Sequence, residues 1–316
     1  MIKNLSALKK KVSFKTHLSK FEKGVCLPLK SIMRYPDRGK WGNPYYRGNC
    51  SGHIIKDLLL FYKPKKFVEV FSGGNTGKDV CEDLGIKNSV HLDLVNGWNA
   101  LLDDIPTGND FTFSHPPYWD IISYENQRGT SHPDDLSNNM SYDEFILKLD
   151  KVNVKIYQSL LNGGRHAILI GDVRKKGRYY SIIKDMTWIG DIEIHLIKEQ
   201  FNTLSSKKKY NGKFIEIAHE HLLIFRKNAI WTVPIKITKT KNFDLRNFEN
   251  MTWRDLIQGA LEFLGNQANL SSIYEVIKDS KKARRNQHWK EKVRQTLQKH
   301  KNFESISRGV WRLNIV

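Results

Sequence analysis

The chain has 316 residues, of which 40% are hydrophobic and 27% charged, and its formal net charge is +19. This composition is typical of a folded globular protein and argues against a disordered or collagen-like chain, and no apolar run approaches the roughly 20 residues of a membrane helix. The charge is concentrated at both ends, because residues 1–46 and 228–316 each carry a net +9 and residues 47–227 carry +1. Clustered positive charge favours a polyphosphate partner, with Lys-rich solvated faces as the alternative.

The beginning of the sequence lacks the apolar stretch of a secretory signal, and the three cysteines, Cys26, Cys50 and Cys81, are scattered. Both observations favour a cytoplasmic protein without a disulfide framework and without membrane contact. We expect residues 1–46 to form a basic arm that orders only on a partner.

From residue 47 onward, short apolar runs alternate with amphipathic segments, which is typical of a parallel sheet with crossover helices. The predicted strands are Phe67–Val70, Ser89–Leu92, 111–113 and 167–170, followed by an antiparallel pair at 192–195 and 220–225. The predicted helices are Gly52–Tyr62, 76–84 and 142–161, the last ending at Asn162-Gly163-Gly164. Residues 47–227 are therefore predicted to form one α/β domain.

The last part of the chain has a different texture. A Thr- and Lys-rich stretch indicates a linker over 228–244. Helices are predicted at 251–264, Leu270–Ile277 and 288–300, followed by a turn at Arg308-Gly309 and a short apolar strand. This order is typical of a small winged helix-turn-helix domain, predicted at 245–316. A protein-interaction module with an incidental basic face is the alternative.

A loop of small residues follows the first strand of the α/β domain, in Glu69-Val70-Phe71-Ser72-Gly73-Gly74-Asn75-Thr76-Gly77. Such a loop brings backbone close to a ligand and points a helix amino terminus at it, although its spacing is not that of a P-loop and fits the dinucleotide fingerprint poorly. Asp93 comes about 20 residues further on, where a carboxylate can accept hydrogen bonds from ribose hydroxyls. A helix-capping role for Asp93 is the alternative.

Another predicted strand ends in Ser114-His115-Pro116-Pro117-Tyr118-Trp119. Two prolines cannot continue a central strand, so the backbone leaves the sheet at its carboxyl end, where α/β folds place their sites. This segment resembles the Asp/Asn/Ser-Pro-Pro-Tyr/Phe/Trp motif of the amino methyltransferases, which transfer a methyl group from S-adenosylmethionine to the exocyclic nitrogen of adenine or cytosine. The resemblance covers residues 47–227, and the motif order is similar to the family's gamma-type arrangement.

The resemblance implies a Rossmann-like class I methyltransferase sheet with S-adenosylmethionine as cofactor. The cofactor-binding residues that it implies are Gly48, Asn49, Cys50, Ser51, Glu69, Phe71, Ser72, Gly73, Asn75, Thr76, Asp93 and Ser114. The catalytic residues that it implies are Ser114, His115, Pro116, Pro117, Tyr118 and Trp119. We expect no metal ion, because no second cluster completes a site with His132, Asp134 and Asp135.

Two residues depart from the family's pattern: Asn75 stands in place of a glycine, and His115 stands where the family has Asp, Asn or Ser. In the family that side chain accepts a hydrogen bond from the target amino group, and the carbonyl of the first proline accepts a second. Since a protonated imidazole cannot accept, we expect activity to fall below about pH 6. The target base is expected to be flipped out and stacked on Tyr118, with Trp119 beside it.

The sequence thus predicts an S-adenosylmethionine-dependent methyltransferase of duplex DNA, with adenine N6 favoured over cytosine N4, in a modification or restriction-modification context with a cognate nuclease as a candidate partner. RNA base methylation and a non-catalytic nucleic-acid-binding role are the alternatives, and the oligomeric state stays open. Long loops at the carboxyl ends of the strands, such as the polar stretch 131–136, are expected to touch substrate. The predicted DNA contacts are Arg174, Lys175, Lys176 and Arg178 after a buried strand, and Lys290, Lys292, Arg294 and Arg308 in the tail.

Overall fold

The computed structural model describes residues 29–201, 203 and 213–314. The chain divides into two compact units, Met1–Thr238 and Lys239–Val316, and the division falls inside the stretch predicted as a linker. Cys26 and the first 28 residues of the predicted arm lie outside the described residues. Among the described helices, none is long and apolar enough to cross a membrane.

The first unit contains the following strands and helices in chain order. The strands are β1 (Ile32–Arg34), β2 (Phe67–Val70), β3 (Ser89–Leu92), β4 (Asn109–Ser114), β5 (Leu160–Ile170), β6 (Val173–Lys175), β7 (Arg178–Tyr180), β8 (Trp188–Ile189), β9 (Asp191–Glu199), β10 (His219–Arg226) and β11 (Ile235–Lys236). The helices are α1 (Gly52–Tyr62), α2 (Thr76–Asp83), α3 (Glu125–Arg128), α4 (Tyr142–Ser159) and α5 (Ile182–Asp185).

Seven of these strands form one sheet in the order β1-β9-β10-β5-β4-β2-β3. The neighbouring strands pair in parallel except at β10, which is antiparallel to both β5 and β9. The unit is therefore a mixed α/β structure around a mainly parallel sheet, and the predicted final antiparallel pair is confirmed.

Both faces of the sheet are covered, which explains why its central strands are continuous apolar runs. Alternate residues of β2 point to opposite faces, so Phe67 packs with α1 and Val68 packs with α4. Helix α4 contributes Phe145, Leu149, Val152 and Ile156 at helical spacing to one face, and α1 contributes Ile54, Ile55, Leu58 and Leu59 to the other.

The arm prediction is wrong for residues 29–46, which belong to the sheet unit. Strand β1 pairs in parallel with β9, and Met33 and Trp41 are buried. The apolar side chains within this basic stretch are the physical reason, because they pack on the same face as α1.

The predicted end of the long helix is also wrong. Helix α4 ends at Ser159, and the chain enters β5 at Leu160 without a loop. The two glycines that suggested a helix stop lie inside this strand. Gly163 has φ 85°, and a Cβ atom on Gly164 would stand 2.9 Å from the Leu161 carbonyl oxygen and 3.3 Å from that of Asn109. Gly163 is needed for its left-handed backbone, and Gly164 is needed because a side chain there would meet carbonyl oxygens of β5 itself and of β4.

The second unit alternates helices with short strands. Its elements are α6 (Trp253–Phe263), β12 (Gln267–Asn269), α7 (Leu270–Ile277), α8 (Lys281–Arg284), α9 (Trp289–Lys299), β13 (Phe303–Ser307) and β14 (Val310–Leu313). The three strands form an antiparallel sheet in the order β12-β14-β13. Its core is formed by Leu256, Ile257, Ala260, Leu261, Ile273, Ile277, Val293, Leu297, Phe303 and Leu313. Sequence patterning did not indicate α8 and β12.

Candidate active site

The loops after β2, β3 and β4 meet at one edge of the sheet, because parallel strands end there together. The backbone N–H groups of Phe71 and Ser72 donate to the Leu92 carbonyl oxygen at 2.9 and 3.1 Å, which ties the first loop to the second. The His115 N–H donates to the Val70 carbonyl oxygen at 3.3 Å and ties the third loop to the first. The loop after β2 (the Gly-rich loop, 71–75), the loop after β3 that begins at Asp93 (the acidic loop) and the loop after β4 that begins at His115 (the Pro-Pro loop) are thus neighbours.

A cleft of about 690 Å³ opens at this edge. It is lined by nine predicted cofactor residues, namely Gly48, Asn49, Cys50, Glu69, Phe71, Ser72, Gly73, Thr76 and Asp93. Asn75 does not line it, although its φ of 67° is the left-handed conformation expected for a residue replacing glycine. Ser51 lines a second cleft instead.

Asp93 is buried in the first cleft and holds the acidic loop against the Gly-rich loop. One carboxylate oxygen accepts from the Gly73 N–H at 2.9 Å, and the other accepts from the Val95 N–H at 2.9 Å. Burial raises the pKa of Asp93. Asp93 can cap the turn that follows it and also bind a ligand, because each carboxylate oxygen can accept a second hydrogen bond.

Two buried hydroxyls in this cleft have no hydrogen-bond partner in the described part of the chain, Ser72 Oγ and Thr76 Oγ1. Buried polar groups are nearly always paired, so these orphans fit a polar ligand in the cleft. The Gly-rich loop itself is fixed by Asn43 and Asn49: the Asn43 N–H donates to the Gly74 carbonyl oxygen at 2.8 Å, and the Gly74 N–H donates to Asn49 Oδ1 at 3.2 Å.

The first cleft is also lined by an aromatic pair and an ion pair that the sequence did not indicate. Tyr46 and Tyr124 stack with ring centroids 5.7 Å apart, and the buried Arg128 guanidinium pairs with Asp135 at 2.6 Å. Further lining residues outside the predicted cofactor set are Leu94, Trp98, Ala100, Asp134 and Leu136. Of these five residues, only Asp134 and Leu136 belong to the long polar loop around residues 131–136 that the sequence indicated.

The second cleft, of about 1700 Å³, lies beside the first and shares four lining residues with it: Gly48, Asn49, His115 and Tyr124. Its walls include Pro116 and Tyr118 from the Pro-Pro loop. Its charged lining is mixed, with the cations Arg38, Arg174 and Lys198 and the carboxylates Asp37, Asp172, Glu199 and Glu220. Pro117 lines the first cleft. The Pro-Pro loop therefore lies where the two clefts meet.

His115 begins a chain of hydrogen bonds into the protein. Its Nε2 lies 3.0 Å from the Tyr118 hydroxyl, which donates to Glu220 Oε1 at 2.6 Å, and Lys198 Nζ donates to Glu220 Oε2 at 2.7 Å. Burial lowers the pKa of His115 to about 4. This lowered pKa moves the expected loss of activity to a pH below 6, because His115 then stays neutral at pH 6.

Ser114 and Trp119 do not take the catalytic roles expected of them. Ser114 is 1% exposed, and its hydroxyl lies 2.7 Å from His166 Nε2, facing neither cleft. Trp119 is buried in the core, and its indole N–H donates to the Met140 carbonyl oxygen at 2.8 Å. Its φ of 54° is unusual for a bulky residue, and the buried ring and this hydrogen bond hold it. The structure supports a core role for both residues.

The basic residues predicted to touch DNA have different surroundings. Arg174 lines the second cleft, whereas the Lys175 ammonium pairs with Asp120 and lies 4.0 Å from the Trp119 ring centroid. Lys176, with φ 49°, and Arg178 lie at the exposed end of the β6–β7 hairpin. Lys175 is thus the one of these four that is held inward.

In the second unit, Lys290, Lys292 and Arg294 lie on α9 and are exposed, and Arg308 is exposed at the turn between β13 and β14. Arg294 pairs with Glu291 at 3.0 Å. Among the described residues of both units, no three His, Cys, Asp or Glu side chains are grouped as a metal site.

No protein-family model and no curated protein matches the chain. Solved structures similar to it include a protein of Thermus thermophilus provisionally named a DNA modification methylase, complexed with S-adenosyl-L-methionine, at 17% identity, covering 56% of each chain with a TM-score of 0.28. They also include TrmN from Thermus thermophilus, at 12% identity over 57% of this chain and 50% of that one with a TM-score of 0.31. An rRNA methylase from Streptococcus thermophilus matches at 14% identity over 55% and 95%, with a TM-score of 0.28.

The chain thus matches only about half the length of the first two of these proteins. TM-scores of this size carry no conclusion about function, so the function is inferred from the chain's own residues.

Proposed function

We propose that the chain is an S-adenosylmethionine-dependent methyltransferase that acts on the exocyclic amino group of a nucleobase, with duplex DNA as substrate and adenine N6 favoured over cytosine N4. One observation carries the proposal: the His115-Pro116-Pro117-Tyr118 loop lies at the junction of two clefts, one built from a Gly-rich loop and an acidic residue, the other larger and lined by charged groups of both signs. A group donor and a base can therefore approach each other at this loop.

The first cleft fits S-adenosylmethionine. Asp93 would accept hydrogen bonds from the ribose hydroxyls, and the orphaned Ser72 and Thr76 hydroxyls and the Asn49 amide would serve polar groups of the ligand. Bound there, S-adenosylmethionine supplies an electrophilic methyl group on a sulfonium. The stacked Tyr46 and Tyr124 would exclude water from it.

The second cleft supports a flipped base as substrate. This cleft is larger than the first and open to solvent, and Arg38 and Arg174 on its wall can contact phosphate groups. Tyr118 offers an aromatic surface for the base, and the Pro116 carbonyl and the His115 imidazole are the acceptors for its amino hydrogens. Those two acceptors aim the nitrogen lone pair toward the first cleft.

The second unit is proposed to be a winged-helix reader of duplex DNA. Its support is the order α6, β12, α7, α9, β13, β14 with a three-stranded sheet, and the exposed cations of α9 and of the β13–β14 turn. Substitution of Lys290 and Arg308 by Ala should weaken duplex binding and lower the salt dependence by about one counterion each. The matched control is Lys278→Ala, because the Lys278 ammonium also lies in the second unit but pairs with Glu275.

The test is transfer of radiolabelled methyl from S-adenosylmethionine to mixed genomic DNA and, separately, to structured RNA, followed by nucleoside mass spectrometry. We expect N6-methyladenine in DNA, lost in His115→Ala and Tyr118→Ala and retained in His288→Ala, an exposed histidine of the second unit. Label found in RNA alone would show that RNA, and not DNA, is the substrate. Cofactor binding without label on any nucleic acid would instead indicate a non-catalytic binding protein.

A further inference from the structure

The hydrogen-bond chain behind His115 is built into the sheet. Lys198 on β9 and Glu220 on β10 are cross-strand partners, so the backbone register fixes their ion pair of 2.7 Å. Both side chains are buried, with 13% and 7% of their surfaces exposed. The other carboxylate oxygen of Glu220 meets the Tyr118 hydroxyl at 2.6 Å. A buried ion pair at the wall of a cleft is costly to maintain, which calls for a role beyond packing.

The protons in this chain can be assigned by elimination. Burial alone would raise the pKa of Glu220, but the charge of Lys198 and the hydrogen bonds from Lys198 and Tyr118 outweigh it and lower the pKa. An ionised carboxylate can only accept, so the Tyr118 hydroxyl donates its one proton to Glu220. The Tyr118 oxygen is then an acceptor toward His115, and Nε2 of His115 must carry the hydrogen. Because the imidazole is neutral, Nδ1 carries none and keeps its lone pair.

We propose that Lys198, Glu220 and Tyr118 hold His115 in the Nε2–H tautomer, so that Nδ1 is the acceptor presented to the target amino group. This inference rests on the proposed methyl transfer. An Asp or Asn side chain has a carbonyl or carboxylate oxygen that accepts, whereas an imidazole must also have its proton on the far nitrogen. The described residues offer no hydrogen-bond partner to Nδ1, which leaves it for a ligand. Lys198 and Glu220 are thus positioning residues, and of the side chains in this hydrogen-bond chain only His115 touches the amino group.

The opposite tautomer would place an Nδ1–H against the N–H of the amino group, so two donors would face each other. The lone pair of the amino nitrogen would no longer point at the methyl group. The rate of methyl transfer would therefore fall more than the affinity for the nucleic acid.

The first experiment measures the tautomer itself, with two-bond proton–nitrogen correlation spectra of the full chain labelled with ¹⁵N-histidine at pH 7. The His115 signals are assigned by their absence in His115→Asn. We expect protonated Nε2 and unprotonated Nδ1 in the wild type, and a mixture of tautomers in Tyr118→Phe and Glu220→Gln. A wild-type Nδ1–H tautomer would overturn the inference, and so would an unchanged tautomer in both variants.

The second experiment measures single-turnover methyl transfer. We expect Glu220→Gln to lower the rate constant about tenfold, with the nucleic-acid concentration that gives the half-maximal rate changed less than about twofold. Lys198→Met should lower the rate constant by a similar factor. The matched control for Glu220→Gln is Glu193→Gln. Glu193 lies on the neighbouring strand β9 and likewise binds a cation, Arg165, and a tyrosine hydroxyl, that of Tyr62, but it lines neither cleft.

A Glu220→Gln rate equal to that of the control would overturn the positioning role. The expected tautomer in a protein that methylates no nucleic acid would instead refute the proposed function.

Discussion

Gly48 lies directly against the hydroxyl of Tyr124, with a φ of 83°, and a Cβ atom on Gly48 would overlap that hydroxyl. Both residues line both clefts, so their contact sits at the passage between the proposed cofactor and the proposed base. Glycine satisfies two demands here, the left-handed backbone and the absence of a side chain.

Gly48→Ala should therefore displace Tyr124 and weaken S-adenosylmethionine binding by about tenfold, a loss of about 1.4 kcal/mol. Isothermal titration calorimetry measures the change. Gly108→Ala is the matched control, because Gly108 has a φ of 81° and open space around it. If Gly48→Ala and Gly108→Ala bind the cofactor with the same affinity, the contact between Gly48 and Tyr124 has no role in cofactor binding.

The sheet could be predicted from the sequence because its strands are apolar runs bounded by turns, and β2 and β3 have the predicted bounds. The Gly-rich loop and Asp93 could be found for the same reason, since they directly follow those strands. Ser114 and Trp119 could not be assigned correctly, because the side on which a side chain leaves a strand end depends on the local backbone. The φ of 54° at Trp119, which turns its ring into the core, is not visible in the sequence.

The partners of His115 were also invisible to sequence reasoning. Lys198 and Glu220 are more than 80 positions away from His115, on strands that the fold brings alongside the Pro-Pro loop. In the sequence Glu220 is the first residue of one predicted strand of the antiparallel pair, and Lys198 lies beyond the end of the other. Only the register of β9 with β10 makes them neighbours.

Trp119→Phe tests the core assignment of Trp119. The substitution removes the hydrogen bond to the Met140 carbonyl and part of the contacts with Tyr142 and Tyr180, so we expect a loss of about 1–3 kcal/mol in the free energy of unfolding. The single-turnover rate of the folded variant should change little. Urea denaturation and the methyl-transfer assay measure the two quantities. A normal stability with a strongly reduced rate would return Trp119 to the site.

Asp93→Asn tests the proposed ribose contact. The amide keeps one accepting oxygen for the Val95 N–H but faces the Gly73 N–H with a donor, and it lacks the negative charge that strengthens hydrogen bonds from hydroxyls. We expect S-adenosylmethionine to bind about ten to a hundred times more weakly, in line with about 1.5–3 kcal/mol for a hydrogen bond to a charged group. Asp104→Asn, outside the cleft, is the control. Unchanged affinity would limit Asp93 to its capping role.

Acid should destabilise the fold through its buried histidines. Burial lowers the pKa of His166 to about 3 and that of His115 to about 4, whereas an unfolded chain protonates histidine near 6.5. The unfolded state therefore binds more protons between about pH 6.5 and these values, and the free energy of unfolding falls as the pH falls through that window. His166→Gln should make the slope shallower in urea denaturation series at different pH values. An identical slope would mean that His166 is protonated in the folded protein as readily as in the unfolded chain.

The rate of methyl transfer should follow the protonation of His115 alone among these histidines. His166 faces Ser114 in the core, while the lone pair of His115 is needed as an acceptor at the junction of the clefts. Because the pKa of His115 is about 4, the single-turnover rate should be the same at pH 7.5 and pH 5.5 and should fall by half near pH 4. In Tyr118→Phe, the Nε2 hydrogen loses its acceptor, so we expect a lower rate at every pH. A midpoint near pH 6 in the wild type would show instead that water reaches the His115 ring and that burial does not control its charge.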